Sequence, residues 1–311
     1  MLSPRKIQYF LKVVDCGAFA KAAADLGVSQ PTLSQQVAAL EAYLGRRLLV
    51  RSVHGVSVTE AGRAFYRHAQ GLAKQFATAE AEVKRIEEAS GGQIALGLAT
   101  CGAAATLALP ILERVLAERP GFRLRIFDNF LGSLGDSIMN GRIDLALAYG
   151  AGSTRGVRRH ALFVEELFLL APPCRALAAG ADGVVDIAAL RDVPLVMPSA
   201  VHFLRPVIEQ ACAAAGFRPR VVAEIDSLAG LLGALDNNAG LAILPRAALE
   251  PGEEARLAIH RIGPQRIEAT VSLCTSADLP MTASIEALAA MITSLTQERL
   301  AVGAWAGVRA A

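Results

Sequence analysis

Residues 18–45 constrain this chain more than any other stretch. Phe19, Ala22, Ala23 and Leu26 recur at helical spacing and predict a short helix with one apolar face. Gly27 follows, a residue that accepts the positive φ needed for a tight stop between helices. Ser29 stands where an N-cap belongs. Pro31 falls in the first turn of a second helix, where its missing N–H costs nothing. Leu33, Val37, Leu40 and Leu44 repeat on the buried side of that helix, and Gln30, Thr32, Ser34 and Gln35 occupy the other. Uncharged amides and hydroxyls near a helix N-terminus suit the reading of base edges in a major groove. A plain helical hairpin with a polar outer face has the same pattern, so the surrounding chain has to decide between them.

Charge favours the first reading. Residues 1–74 hold ten Lys/Arg against four Asp/Glu, a balance of +6, while the rest holds 21 against 25, a balance of −4. A basic module on a mildly acidic body fits a head that binds a polyanion. Residues 46–59 read as two short strands around His54 and Gly55, with Arg46, Arg47 and Arg51 placed to reach phosphates.

On these residues the chain resembles the winged helix-turn-helix of the LysR-type transcriptional regulators, from residue 1 to about 62. The matching stretches are IQYFLKVVDCGAFAKAAADLGVSQPTLSQQVAALEAYLG and RRLLVRSVHGVSVTEAG. The resemblance implies double-stranded DNA as a partner, with Gln30, Pro31, Thr32, Ser34 and Gln35 on the reading helix and Arg46, Arg47, Arg51 and His54 in and beside the wing. Two positions depart from the family pattern. Leu49 replaces a usual aromatic, and His54 stands where arginine is frequent.

Thr59 and Glu60 then start a long helix. Phe65, Ala69, Leu72, Phe76, Ala79, Val83 and Ile86 alternate steps of four and three, an a/d seam over about three heptads. Charged residues flank the seam (Lys74, Glu80, Lys84, Arg85, Glu87), so a partner helix explains it better than the chain's own body. We therefore expect a homo-oligomer: a dimer through Phe65, Leu72, Phe76, Val83 and Ile86, with the tetramer implied by the resemblance. Ser90, Gly91 and Gly92 end the helix as a hinge.

From residue 93 onward strands alternate with helices. Strands are expected at 94–99, 123–128, 144–149, 167–171, 195–197, 221–225 and 241–244, and helices at 104–118, 131–140, 204–215, 228–237 and 281–300. The pattern predicts an α/β arrangement with largely parallel sheets. The fragments GRIDLALAYG and NAGLAILPRAAL resemble landmarks of the same family's effector-binding domain, which shares its fold with periplasmic solute-binding proteins. The expected organisation is a winged helix-turn-helix over 1–59, a linker helix over 60–90 and an effector domain over 91–302. That domain divides into subdomain I (about 93–163 plus 266–302) and subdomain II (about 164–265). The last residues, 303–311, carry no pattern and are expected to be a mobile tail.

Ligands of open α/β sheets sit beyond the carboxyl ends of strands. Thr100, Cys101 and Gly102 follow the first strand, and Ser199 to Phe203 follow the strand at 195–197. The resemblance implies that these loops face each other across a cleft also lined near Leu131. The expected effector contacts are therefore Thr100, Leu131, Ser199, His202 and Phe203, with a small polar or anionic metabolite as ligand. Thr100 and Ser199 have an alternative role as helix caps. Arg205 has two candidate partners, a ligand carboxylate or Glu209 at i+4. Peroxide-sensing members of the family use a thiol pair here; Cys212 lies near one position, but Phe203 takes the other.

Other functions find no support. There is no GxSxG, P-loop or GxGxxG, and the five cysteines (Cys16, Cys101, Cys174, Cys212, Cys274) have no metal-ligand spacing. No enzyme activity, metal or cofactor is expected. Residues 94–112 carry no charge, but alternation followed by Gly102 and a helical repeat reads as strand–turn–helix rather than a membrane span. A cytoplasmic protein with reduced thiols is expected.

Overall fold

The computed structural model describes residues 2–52, 55–85, 93–99, 101–127, 134–150, 155–180 and 183–311. His54, Ile86, the 90–92 hinge, Thr100 and Leu131 lie outside the described residues, as does the side chain of Val83. The chain forms two compact units, Met1–Ser90 with Gly135–Arg142, and Gly91–Leu134 with Ile143–Ala311.

The first unit opens with α1 (Pro4–Cys16), capped by the Ser3 hydroxyl, which accepts from the Lys6 N–H. Next come α2 (Phe19–Leu26) and α3 (Gln30–Leu44), separated by Gly27 at φ 64°. An antiparallel hairpin of β1 (Leu49–Ser52) and β2 (Gly55–Val58) leads into α4 (Glu60–Arg85). Ile7, Phe10 and Val13 of α1 meet Ala22 of α2 and Leu33, Val37 and Leu40 of α3 in one core. The apolar stripe of α3 runs one turn past that core, leaving Leu44 36% exposed rather than buried. The hairpin is pinned by Glu41, whose Oε1 accepts the N–H groups of Leu48 (2.7 Å) and Leu49 (3.0 Å). Thr59 caps α4 as expected: its Oγ1 accepts from the Gly62 N–H at 2.9 Å and donates to the Arg47 carbonyl.

The first half of the α4 seam packs within its own unit. Phe65 stands edge-on to Phe10 with centroids 5.2 Å apart, Ala69 is fully buried, and Leu72 packs on the same core. Within the single chain Phe65 and Leu72, which the sequence pattern places on the seam, are thus partly buried against the core of their own unit. Phe76, one turn further, is 42% exposed.

The second unit runs in chain order through β3 (Gln93–Leu98), α5 (Gly102–Thr106), α6 (Ala108–Glu118) and β4 (Arg123–Phe127). It continues after α7 (Leu134–Met139), most of which groups with the first unit, to β5 (Leu145–Tyr149), β6 (Val157–Ala171), β7 (Val184–Asp186) and β8 (Pro194–Met197). Then follow α8 (Leu204–Ala214), β9 (Arg220–Glu224), α9 (Leu228–Asp236), β10 (Ala242–Pro245), α10 (Pro251–Glu254) and β11 (Ala258–Gly263). The chain closes with β12 (Ile267–Ser276), α11 (Ala283–Ala301) and β13 (Val308–Ala310).

The main sheet has the order β4-β3-β5-β12-β6-β11-β7, with β10 and β13 also paired to β6. Pairs β3–β4, β3–β5, β7–β11 and β8–β9 are parallel, but every pair made by β12 with β5 or β6, and by β6 with β10, β11 or β13, is antiparallel. The sheet is thus mixed, not largely parallel. The cause lies in two long strands that the apolar pattern hides. Over its first ten residues β6 carries Arg158, Arg159, His160, Glu165 and Glu166, so only its last five read as a strand.

The C-terminal residues also differ from expectation. Trp305 is only 9% exposed, lies 5.5 Å from Phe163 between ring centroids, and donates from Nε1 to Thr106 Oγ1 at 2.9 Å. Val308 then pairs with Glu165 as β13 joins β6. A three-residue strand and one aromatic ring leave no periodic trace in sequence. Trp305 is the sole tryptophan, so the native protein should show the blue-shifted emission of a buried indole that acrylamide quenches poorly. Trp305→Ala should lower stability by about 3 kcal/mol in denaturant titration. A solvent-like emission maximum in the native protein would mean that the tail is undocked.

Candidate functional sites

The first site is the outer face of α3 with the hairpin beside it. The Ser29 Oγ accepts from the Thr32 N–H and lies 2.7 Å from the Thr32 hydroxyl, so both groups are held at the helix start. Gln30, Pro31, Thr32 and Gln35 are exposed, and Ser34 is partly so. Arg46 and Arg47 are exposed on the turn into the hairpin. Arg51 reaches across from β1: its guanidinium lies 4.0 Å from the Phe19 ring centroid and donates to Ser34 Oγ at 2.9 Å. One arginine thereby joins the hairpin to both helices, and its remaining N–H groups extend the polar, cationic face. The result is a row of uncharged donors and acceptors on a helix, flanked by fixed positive charge.

A second site lies where the loops after β3 and β8 begin helices. The Ser199 N–H donates to Asp226 Oδ1 at 2.8 Å, while its buried Oγ has no hydrogen-bond partner among the described residues. The Ser199 carbonyl accepts from the His202 N–H, closing a tight turn before α8. The Leu204 N–H donates to His202 Nδ1, and burial holds that imidazole below its usual pKa. Phe203 stacks on Tyr149 with centroids 4.7 Å apart, and His202 lies 4.1 Å from Phe203. Beneath this stack the Tyr149 hydroxyl meets Glu165, whose Oε1 accepts the Ala103 N–H at 2.8 Å. Burial pushes the Glu165 carboxyl up to about 7, against the opposing pull of these two hydrogen bonds.

Residues 4–63 match the family described as bacterial regulatory helix-turn-helix protein, lysR family, and residues 87–297 match the LysR substrate binding domain. The chain is a LysR-type transcriptional regulator. It is similar to the nitrogen assimilation regulatory protein nac of Escherichia coli (strain K12), 34% identical over 245 residues and 78% of each chain. A probable hydrogen peroxide-inducible genes activator of Mycobacterium avium is 31% identical over 80% of this chain and 79% of its own. Full-length CbnR, solved in complex with its target DNA, superposes with a TM-score of 0.66 at 21% identity, covering 95% of this chain and all of that one. A full-length OxyR variant from Pseudomonas aeruginosa gives 0.67 at 21% identity, covering 96% and 95%. At that identity the two structures speak for the fold.

This regulator is therefore a sequence-specific DNA-binding protein with an effector-binding domain, and the family is one of regulators rather than enzymes. The structure brings His202 and Phe203 together with Tyr149, and sets Ser199 on the turn that leads to them. Thr100 and Leu131 fall outside the described residues. Arg205 is taken within the fold: it pairs with Glu209 at 2.6 Å and Glu224 at 3.0 Å and donates to the Pro198 carbonyl. Cys212 is fully buried on α8 with its thiol pushed up to about 11 by burial, as its place on a packed face predicts.

The sequence pattern does not mark Tyr149 or Glu165 as site residues. Glu165 lies in a stretch whose charges obscure the strand, and Tyr149 reads as the last residue of an apolar one. The available signal was a carboxylate at an inward position of a strand. Gly102 completes the group: at φ +73° its absent Cβ would lie 2.1 Å from the Tyr149 hydroxyl and 2.4 Å from Glu165 Oε2. Gly102→Ala combines this clash with a left-handed backbone, and should cost about 2–4 kcal/mol in urea unfolding. Wild-type stability in that variant would mean that the loop has room to move.

Proposed function

We propose that the regulator reads its operator with the amides and hydroxyls at the start of α3 and senses a small polar or anionic metabolite in a cleft of the effector domain. The observation that supports the DNA reading is the exposed row Gln30, Thr32, Ser34 and Gln35 behind the Ser29 cap, with Arg46, Arg47 and Arg51 beside it. Pro31 keeps the helix start rigid and His54 adds a donor in the wing. Bases are read by Gln30 and Gln35, and phosphates are held by the arginines.

The division proposed for the effector domain is 93–163 plus 266–302 against 164–265. Its cleft takes Thr100, Leu131, Ser199, His202 and Phe203 as ligand contacts. The unpartnered Ser199 hydroxyl beside an aromatic stack supports this reading, since a buried polar group wants a donor or acceptor that a ligand supplies. A thiol sensor is the weaker alternative, because the buried thiols of Cys101, Cys212 and Cys274 are all pushed up and thus poor nucleophiles. The assembly proposed is a cytoplasmic homotetramer whose dimers pair through the apolar seam Phe65, Leu72, Phe76, Val83 and Ile86, with Phe76 supporting this as an exposed aromatic on α4. Effector binding then shifts the geometry of that oligomer on DNA.

In a mobility-shift titration on the DNA upstream of its own reading frame, Gln35→Ala should lose roughly 1–3 kcal/mol for the specific site and little for random DNA. Arg51→Ala should weaken both alike and flatten the salt dependence. Unchanged operator affinity in Gln35→Ala removes that residue from the reading face. Phe76→Glu should dissociate the assembly in sedimentation, because a buried charge has no partner across the seam. An intact oligomer with Glu at that position returns α4 to a purely internal role.

A further inference from the structure

Glu165 lies midway along β6 with its side chain wholly buried. Its Oε1 accepts the Ala103 N–H at 2.8 Å, and its Oε2 is in hydrogen-bond contact with the Tyr149 hydroxyl. That same hydroxyl lies 3.2 Å from the carbonyl oxygen of Cys101. Three acceptor oxygens thus converge on two donors, an amide N–H and a phenol O–H. With an ionised carboxylate, the one phenol proton serves either Glu165 or Cys101, and the other oxygen stays buried without it. A further proton on Oε2 satisfies the whole group: Glu165 donates to Tyr149, Tyr149 donates to Cys101, and Ala103 donates to Oε1.

Among the described residues, the neighbouring elements supply no cation to do this instead. Ala269 of β12 and Val308 of β13 stand opposite Glu165 in register. Next to them Arg309 and Glu268 pair with each other at 2.9 Å. Glu166, on the other face of β6, takes Arg261 and Arg266. Around the carboxyl itself the titratable groups are Tyr149 and Cys101, both pushed up by burial, and from the start of α8 Phe203 covers the tyrosine with His202 beyond it.

We propose that Glu165 is a proton-operated latch: held as the neutral acid, it ties β5 and β6 to Cys101 and the start of α5, and its ionisation releases that helix start. Ionisation leaves a carboxylate in an apolar interior and takes the donor from Cys101, and opening of the helix start to water relieves both. With the carboxyl pushed up from its usual 4.5 to about 7, the latch works across the ordinary physiological range. Its regulatory meaning rests on reading 101–103 as part of the effector site, and the measurements below need no effector. They therefore succeed or fail separately from that reading.

A raised folded-state pKa stabilises fully below the unfolded value and is lost as pH climbs through the folded one. In urea unfolding of the full-length protein from about pH 5 to about pH 8, the unfolding constant of wild type relative to Glu165→Gln should rise roughly tenfold per pH unit until about 7, then level off. Glutamine keeps a donor toward Tyr149 but cannot ionise. A ratio independent of pH overturns the proposal. Wild type alone supplies a second arm, should the variant fold poorly. A protonated-carboxyl C=O stretch should dominate at about pH 6, fall to half near pH 7, be nearly lost by about pH 8 and move in frequency in Tyr149→Phe. Its absence at the lower pH overturns the neutral acid. Hydrogen-exchange protection of the Ala103 N–H should fall with the same midpoint, and constant protection overturns the release.

Discussion

The antiparallel pairing of β6 with β12 is the interaction on which the second unit depends. Ten residues of β12 lie in register with β6, from Ile267 opposite Leu167 to Ser276 opposite Val157, with one irregularity at Val271/Ser272. β12 carries β5 on its other edge, and β6 receives β10, β11 and β13. Along its last residues β6 is buried without interruption from Leu167 to Ala171, so each of Leu167, Phe168, Leu169 and Leu170 contributes apolar burial of about 1.5–3 kcal/mol. Loss of this pair would strip the partners from both edges at once.

That architecture explains why charged residues occur where a strand is deepest. Glu166 is buried but meets Arg261 and Arg266, and its N–H donates to the Gly307 carbonyl of the tail. Glu165, one residue earlier and on the opposite face, has only neutral partners. Two adjacent carboxyls thereby come under opposite conditions, one ion-paired and one held in an apolar pocket. The tail contributes to both, since β13 runs beside Glu165 and Trp305 packs next to Phe163.

In the first unit the governing constraint is economy of apolar surface. A head built from three short helices and a two-stranded hairpin closes its core only by borrowing Phe65, Ala69 and Leu72 from α4. Tyr66 strengthens the same join through its hydroxyl on Asp15, and burial pushes that phenol up to about 12. The outer face of α3 is then left exposed, as the DNA reading proposed for it requires.

The sequence by itself determined the elements whose signals are local. Capping by Ser29 and Thr59, the stop at Gly27, the period of α3 and the apolar runs that became β3, β5, β8 and β10 all depend on residues within one turn or strand. The family was legible for the same reason, as was the row of polar side chains on α3. Tertiary structure alone decided what pairs with what. That Phe65 packs on α1, that a tail of no visible pattern docks, and that the sheet is mixed all depend on contacts between residues far apart in the chain. The sharpest case is Glu165, which reads as one more charge in a charged stretch. Only the approach of Tyr149 and Ala103, from 16 and 62 residues away, turns it into a buried acid, because burial belongs to the surroundings and not to the residue.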